Sequence, residues 1–217
     1  MNNQILPIVL DLEASGADFV KCGIWQIGAV DLNTMEEFIE EARIDDEDEV
    51  KEDALKVIGK TEEELRDSSK QSQKELIDKF LKWAKGRKME NLICHHPQFD
   101  YSFIEVKRNK YSLEKTISYK AFDTHTIAQA KFFELNNKFL IDEEKHQSDM
   151  GLHQTLELCG LQDNRRLMKD GEVEQEGDAH NALEDAKMTG ECFMRLMFGK
   201  NIFPEFEKFE VPEELKR

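Results

Sequence analysis

The first 44 residues have the hydrophobic pattern of β-strands. Ile5 to Glu13 begins with an apolar run, Gly23 to Leu32 is largely apolar, and Glu37 to Ile44 alternates apolar and polar side chains. A period of two residues places successive side chains on opposite faces of a strand. The three segments follow one another without a long connection, so the sequence predicts a meander at the start of the chain.

Helical periodicity replaces this pattern after residue 60. Thr61 is a suitable N-cap with Glu64 three residues later, and a longer helix is predicted from about Ser72 to Lys85. Farther along, short strands are predicted at Asn91 to His95 and at a segment ending at Asp123. Helices are predicted after Pro97 and at Thr124 to Phe132, Leu152 to Cys159 and Asn181 to Phe198. The polar stretch from Glu134 to Met150 is predicted to be a loop or lid. Strands first, then strands alternating with helices, predict an α/β fold with a mixed sheet and helices on both faces.

Composition is typical of one globular domain. Of the 217 residues, 39% are hydrophobic and 35% are charged, and no apolar run approaches the roughly 20 residues of a membrane span. The start MNNQILPIVL lacks a basic segment and a small-residue cleavage site, which predicts a mature cytoplasmic protein without membrane attachment. Because no CxxC pair is present, buried reduced thiols are expected at Cys22, Cys94, Cys159 and Cys192.

The formal net charge of −16 argues against a broad attraction to nucleic acid, but the charges are unevenly distributed. The acidic segment, Glu36 to Asp53, has eleven acids and two basic residues, and it is predicted to be a solvated loop or edge. The basic segment, Lys107 to Lys120, has five basic residues and one acid. Two interpretations of the basic segment stay open: a solvated helix and loop face, or a path for substrate phosphates.

Four carboxylates stand out from their surroundings. Asp11 and Glu13 are two residues apart at the end of the first strand, so their side chains point to the same face. Asp185 interrupts an apolar stripe of the last helix, and Asp100 lies in the first turn of the helix after Pro97. Taken singly, each has an ordinary explanation as a strand end, a boundary residue or a favourable charge at a helix start.

Together with His180, five residues before Asp185, these acids have the composition of a two-metal phosphoryl-transfer site. Mg²⁺ prefers carboxylate oxygens, and two ions about 4 Å apart stabilise both the attacking and the leaving oxygen. Histidine is the side chain best suited to act as a base near neutral pH. Metal binding would also explain why two repelling acids share one face of a strand.

The motifs around these residues resemble those of the DEDDh 3′-to-5′ exonuclease superfamily, which contains polymerase proofreading exonucleases and ribonuclease T. DLEASG resembles the first motif, DxExxG, HHPQFD resembles the second, NxxFD, and HNALEDA resembles the third, HxxxxD. Weaker similarity at GKTEEEL, AFDTHTIAQ and LHQTLELCGL extends the resemblance over about residues 5 to 198. Two positions depart from the family pattern: His96 replaces the usual Asn of the second motif, and Ile58 replaces a His.

The resemblance implies a ribonuclease H-like fold, with a five-stranded mixed sheet and helices on both faces. Four carboxylates are implied to hold two Mg²⁺ or Mn²⁺ ions: Asp11, Glu13, Asp100 and Asp185. His180 is implied to take the proton from the attacking water. The backbone at Ala14 and Ser15, with Phe99 beneath the base, is implied to contact the terminal nucleotide, although Phe99 also suits a core position.

The implied reaction is the removal of nucleoside monophosphates from 3′ ends of single-stranded DNA or RNA. Two alternatives stay open. One is a metal-dependent phosphodiesterase that acts on short oligonucleotides, and the other is a non-catalytic binding module of the same fold. The sequence does not distinguish DNA from RNA.

Residues 201–217 lie beyond the resemblance and form a tail to an exonuclease domain of residues 1–200. Phe203, Phe206 and Phe209 recur every three residues in this tail. Each phenylalanine contributes roughly 1.5 to 3 kcal/mol when buried, so the three are expected to pack. Either the tail folds back over its own domain, or it contributes to a homodimer interface, as the similarity to ribonuclease T allows.

Overall fold

A five-stranded mixed sheet organises the chain in the computed structural model, which describes residues 4–169 and 172–217. Its strands are β1 (Ile8–Ala14), β2 (Ile24–Asp31), β3 (Glu36–Glu41), β4 (Leu92–Cys94) and β5 (Ala121–Asp123), in the spatial order β3-β2-β1-β4-β5. β1, β2 and β3 pair antiparallel as a meander, whereas β4 runs parallel to β1 and β5 runs parallel to β4. The predicted mixed sheet is confirmed.

Seven α-helices occur in the described ranges: α1 (Glu52–Ile58), α2 (Glu62–Leu65), α3 (Gln73–Ala84), α4 (Pro97–Lys110), α5 (Thr124–Asn136), α6 (Leu152–Leu158) and α7 (Ala182–Phe198). A capping box starts α2 at Thr61, as the sequence predicts, and another starts α3 at Ser72, where the longer helix is predicted to begin. α5 runs past its predicted end at Phe132 and stops where Asn137 adopts the left-handed conformation. α1 is a helix that the hydrophobic pattern does not reveal. None of the helices in the described ranges has the length and apolar character needed to cross a bilayer.

Alternate side chains of β1 contribute to different hydrophobic layers. Leu10 packs in the layer of α3 and α4, which contains Phe80 and Phe103. Val9 faces the opposite way and belongs to the layer that contains Ala186 of α7. The four cysteines are buried and free, as predicted. Helices therefore cover both faces of the sheet, and the two faces of β1 are buried.

The acidic segment agrees only in part with the solvated loop or edge that the sequence predicts. It begins with the edge strand β3 and most of its acids are exposed, but two of them turn inward. Asp48 is 4% exposed, and its Oδ1 accepts a hydrogen bond from Lys107 Nζ at 2.6 Å. Asp45 accepts hydrogen bonds from Lys110 and Tyr111. A buried carboxylate needs such a partner, and the basic segment supplies it. Lys107 is itself buried, so this residue belongs neither to a solvated face nor to a surface path for phosphates.

Two small two-stranded sheets lie outside the main sheet in the described ranges. β6 (Ile141–Asp142) pairs with β7 (Gln147–Ser148) inside the segment that the sequence predicts to be a loop or lid. β8 (Leu167–Lys169) pairs with β9 (Glu172–Gln175), where the sequence predicts no element. Such short pairs have little hydrophobic pattern of their own, so sequence periodicity does not reveal them.

The tail, residues 201–217, packs against α7. Phe203 and Leu215 are each 2% exposed and lie in hydrophobic clusters with residues of that helix. Glu191 and Arg195 of α7 form a buried ion pair. Glu191 accepts hydrogen bonds from the backbone N–H groups of Ile202 and Phe203, and Arg195 donates to carbonyl groups of the tail. These contacts belong to one chain, and the homodimer stays a prediction.

Candidate active site

Asp11 and Glu13 project from β1 toward α7. Val9 packs in the layer of that helix, and the residues two and four positions later share its face of the strand. The strand ladder places Asp11 opposite Gly28 and Glu13 opposite Gln26 on β2. The two acids therefore lie together at the carboxyl end of β1, on the side where α7 begins.

Gly28 allows the start of α7 to approach the sheet closely. A Cβ atom at this position would lie 2.2 Å from backbone atoms of Ala182 and Leu183. The neighbouring Gln26 accepts a hydrogen bond from Ala182 N at 2.8 Å, which holds the same end of the helix. Because Asp185 lies in the first turn of α7, this packing brings its carboxylate to the acids of β1.

Asp185 is 3% exposed and joins the acids of β1 to the residues before α7. Its Oδ2 lies 3.4 Å from His180 Nδ1 and 3.2 Å from Arg165 Nη1. Its Oδ1 is buried and has no hydrogen-bond partner among the residues that the structure describes. One candidate ligand atom from each of Glu13, His180 and Asp185 lies within 4.8 Å of the other two.

Asp100 reaches the same cluster from α4. The helix begins after His96, whose left-handed backbone (φ 65°) turns the chain between β4 and α4. Asp100 is 2% exposed, and burial raises its pKa from 3.8 to about 8. Hydrogen bonds to its carboxylate, including one from the Leu12 backbone, lower the pKa and offset part of this effect. The structure thus brings all four predicted carboxylates and His180 together.

The four carboxylates resist ionising together. Burial raises the pKa values of Asp11 and Glu13 well above their ordinary range, and repulsion from Asp185 adds to the effect. Asp100 contributes further repulsion, whereas the cationic Arg165 lowers both pKa values. Burial and like charge both disfavour the anionic form of an acid. Positive charge in addition to Arg165 is needed to keep the whole cluster anionic.

The donor set fits hard divalent cations. Mg²⁺ and Mn²⁺ prefer oxygen ligands, and the four carboxylates offer only oxygen. The buried Asp185 Oδ1, which lacks a protein donor in the described ranges, is an atom that a cation would satisfy. A cation between this oxygen and the acids of β1 would also offset their repulsion. The geometry therefore supports metal binding at the positions that the sequence singles out.

His180 is oriented by the main chain on both sides. Its backbone N–H donates to the carbonyl of Val57 at 3.3 Å. Its ring Nε2 lies 2.9 Å from the carbonyl oxygen of Arg166, which only accepts hydrogen bonds, so this nitrogen carries the proton of a neutral ring. Nδ1 then has the free lone pair and faces Asp185, so Nδ1 is the nitrogen that can accept a proton in the cluster.

Arg165 is a site residue that the sequence patterns do not reveal. Its side chain is 8% exposed and donates to both carboxylate oxygens of Asp163, through Nε at 2.9 Å and Nη2 at 2.7 Å. Burial lowers the pKa of Arg165, but the hydrogen bond to Asp163 and the charge of Asp185 outweigh it and raise the pKa. Asp163 and Arg165 lie outside the three motifs, and their part in the site is visible only in the tertiary structure.

An open cavity of about 620 Å³ adjoins the carboxylates. Ala14 and Phe99, two of the predicted substrate contacts, line it, and Phe99 also packs against the hydrophobic core. Ser15 does not line it and is fully buried. Its backbone N–H donates to Gly23 and its hydroxyl to the carbonyl of Glu49. The Ser15 N–H group is therefore already engaged within the chain, and contact of the Ser15 backbone with a substrate stays a prediction.

Comparisons with known proteins identify an exonuclease family. The RNase_T family model, described as exonuclease, matches residues 8–193. The PolC-type DNA polymerase III of Caldanaerobacter subterraneus subsp. tengcongensis is 26% identical over 196 residues, which are 88% of this chain and 11% of the polymerase.

Solved structures of E. coli exonuclease I have the same fold. Its complex with a dT13 oligonucleotide has a TM-score of 0.65 at 13% identity, covering 89% of this chain and 41% of that one. Its complex with a dA16 oligonucleotide has a TM-score of 0.63 at 14% identity, with coverages of 89% and 40%. The chain thus spans about a tenth of the length of the polymerase and about two fifths of exonuclease I.

Proposed function

The chain belongs to the exonuclease family, and on that premise we propose that it is a metal-dependent 3′-to-5′ exonuclease that releases nucleoside monophosphates from single-stranded ends. The observation that carries the proposal is the convergence of carboxylates from β1, α4 and α7 with His180. These groups come from three distant parts of the chain and meet beside one open cavity. A structural network of acids alone would not need a histidine that faces the cavity.

The carboxylates would hold two Mg²⁺ or Mn²⁺ ions, which supply Lewis-acid stabilisation of the attacking and leaving oxygens. Asp11, Glu13 and Asp185 would bind one ion. Asp11 would also face the second, with Asp100 contributing directly or through water. Asp100 is nearly inaccessible and does not line the cavity, which favours the contribution through water.

His180 is proposed to act as the general base. Its Nε2 donates to the carbonyl of Arg166, so the ring cannot rotate without losing this hydrogen bond. Nδ1 therefore stays directed at the cluster, where it takes the proton of the attacking water. Asp185 lies 3.4 Å from the same nitrogen and stabilises the imidazolium that results.

The cavity beside the acids is proposed to hold the terminal nucleotide. Phe99 offers a flat apolar surface for the base, and Ala14 and Ile58 lie on the same lining. Ile58 stands where the family usually has His, so the base meets an apolar group rather than an imidazole there. Exonuclease I structures with dT13 and dA16 oligonucleotides support a single-stranded substrate.

A second candidate, a phosphodiesterase acting on short oligonucleotides, is favoured by the charge distribution. The formal net charge is −16, and both Lys107 and Lys110 of the basic segment are paired with carboxylates of the acidic segment. Affinity for long nucleic acids depends on cations that meet successive phosphates. Because these two lysines are already paired, substrate affinity would depend more on the metal ions and the terminal pocket than on cations along an extended groove.

The test uses single-stranded DNA and RNA oligonucleotides of several lengths, labelled at the 5′ end, with 3′-hydroxyl or 3′-phosphate termini. We expect divalent-dependent shortening from the 3′ end, with loss of most activity in Asp11→Ala, Glu13→Ala, Asp100→Ala and Asp185→Ala. Glu184→Ala is the matched control, since Glu184 is exposed on the same turn of α7.

Three results discriminate between the candidates. Cleavage confined to the shortest oligonucleotides favours the phosphodiesterase. Binding without cleavage in Mg²⁺ or Mn²⁺ would indicate a non-catalytic module. Near-wild-type rates in the four alanine variants would refute the proposed site.

A further inference from the structure

A second group of candidate ligands lies apart from the four carboxylates and His180. It consists of His96, Asp123 and His125, and one ligand atom from each lies within 4.8 Å of the other two. We infer that this cluster, called the His–Asp–His cluster below, binds one divalent ion of the zinc class. None of its three residues belongs to the proposed hydrolytic machinery.

The sheet topology brings the three residues together. β4 and β5 are parallel neighbours, and Cys94 pairs with Asp123 at their ends. Each strand leads almost directly into a helix, so α4 and α5 begin side by side at the same edge of the sheet. His96 is the N-cap of α4, Asp123 is the N-cap of α5, and His125 lies in the first turn of α5.

His96 is held in place by its backbone. Its left-handed conformation (φ 65°) is uncommon for a residue other than glycine. Its side chain makes no capping hydrogen bond to α4, which is the usual contribution of an N-cap residue. Instead its backbone N–H donates to Asp123 Oδ1 at 3.2 Å, and its ring lies 4.4 Å from that of His125 between centroids. The imidazole is therefore directed toward the other two candidate ligands rather than used to start the helix.

The donor atoms of the other two residues are also oriented. His125 Nε2 lies 2.8 Å from Ser148 Oγ, which leaves Nδ1 facing Asp123, with 3.7 Å between Nδ1 and Oδ2. Two ligands of one tetrahedral ion, with bonds of about 2.0 to 2.2 Å, are roughly 3.3 to 3.6 Å apart. Asp123 Oδ1 accepts backbone N–H groups and Oδ2 accepts the Thr126 hydroxyl. Outer hydrogen bonds of this kind fix metal ligands in place.

The donor set selects the class of ion. Two imidazole nitrogens and one carboxylate oxygen suit Zn²⁺ and its neighbours, whereas Mg²⁺ prefers an all-oxygen shell. Three protein ligands leave one position of a tetrahedron for water, and His96 is an exposed residue. The ion would join the starts of α4 and α5 and, through Ser148, the β6–β7 hairpin.

The test measures Zn²⁺ binding by isothermal titration calorimetry in excess Mg²⁺, without nucleic acid. We expect one Zn²⁺ per chain, and binding that is more than about 100-fold weaker in His125→Ala and in His96→Asn, since losing an outer partner alone costs about 10- to 100-fold. His146→Ala is the control, because His146 is an exposed histidine outside the cluster. The same titration in Asp185→Asn distinguishes this site from the four carboxylates.

Retained Zn²⁺ binding in Asp185→Asn and His146→Ala supports the inference. Wild-type affinity in His125→Ala or His96→Asn overturns it, as does loss of the binding in Asp185→Asn. Circular dichroism of each variant establishes that it is folded. Because no substrate is present, the outcome does not depend on whether the chain is an exonuclease.

Discussion

Arg165 donates from Nη1 to Asp185 Oδ2 at 3.2 Å, so an arginine lies directly against one of the proposed metal ligands. Asp163 holds the same guanidinium through two further hydrogen bonds. A permanently charged group in this position offsets part of the repulsion among the buried acids and limits the ways in which Asp185 can move. The arginine therefore stabilises the site before any metal binds.

Replacing Arg165 should separate its electrostatic contribution from that of the metals. In EDTA, Arg165→Ala should lower the free energy of unfolding by up to about 3 to 5 kcal/mol, the range for breaking a buried ion pair. The stabilisation by Mg²⁺ should be larger than in the wild type, because the cation then provides charge that Arg165 no longer supplies. Chemical unfolding with and without Mg²⁺ measures both effects.

Arg166→Ala is the control for Arg165→Ala. The Arg166 side chain is more exposed, donates to the carbonyl of Lys56 and pairs with the exposed Glu176 rather than with the four clustered carboxylates. Unchanged stability of Arg165→Ala in EDTA would contradict the electrostatic role of Arg165.

The raised pKa of Asp100 predicts how stability depends on pH without metal. Burial raises this pKa from 3.8 to about 8, so between these pH values the folded chain keeps a proton that the unfolded chain has lost. Stability should therefore fall as pH rises from about 4 to 8. The raised pKa values of Asp11 and Glu13 act in the same direction. The proposed Mg²⁺ ions would bind the ionised acids, so the stabilising effect of Mg²⁺ should grow over the same range.

Melting temperatures in EDTA and in Mg²⁺, measured from pH 5 to 8, test this dependence. Asp100→Asn cannot ionise and should show a shallower decline and a higher melting temperature near pH 8 in EDTA. Glu184→Gln, on an exposed position of α7, should follow the wild type. A melting temperature in EDTA that rises over this pH range would show that burial does not raise the pKa values of these acids.

The site residues that sequence alone predicts are those that interrupt a local pattern. Asp11 and Glu13 stand two apart at the end of a strand, and Asp185 breaks a helical apolar stripe. The structure places these three and Asp100 in one cluster. The periods of two and 3.6 residues predict the face of each side chain on its own element. The role as metal ligands comes from the set as a whole and from the resemblance of its motifs.

The remaining features depend on contacts between distant segments. Arg165 reaches Asp185 from a loop whose sequence has no marked periodicity, and Gly28 matters because α7 passes over it. Likewise, a run of acids is typical of a solvated loop until a partner such as Lys107 is placed beside Asp48. No single stretch of sequence contains both members of such a pair, so periodicity could not predict them.

His180→Ala should slow the chemical step by about 10² to 10⁴, the usual contribution of a positioned base. The loss should appear in single-turnover rates with saturating Mg²⁺. The shift in melting temperature caused by Mg²⁺ should change much less, because the carboxylates stay in place. Added imidazole should restore part of the rate, and a wild-type rate in the variant would remove His180 from the mechanism.

Truncation after Lys200 tests what the tail does. The structure places Phe203 in the core and uses tail backbone groups to satisfy the buried pair Glu191 and Arg195. Without the tail, this ion pair loses hydrogen-bond partners and apolar surface is exposed. We therefore expect the truncated chain to be much less stable and its oligomeric state to be unchanged. A stable monomer in place of a dimer would instead identify the tail as an interface.

A single substitution distinguishes packing from a general effect of shortening the chain. Phe203→Ala should cost about 3 to 5 kcal/mol, the range for a large core side chain, if the ring packs on its own domain. Glu207→Ala, at an exposed position in the same tail, should cost little. Chemical unfolding measures the stability of each variant, and light scattering measures its mass in solution. If Phe203→Ala changed the mass while the stability of the monomer stayed the same, the phenylalanine would serve a contact between chains rather than the core.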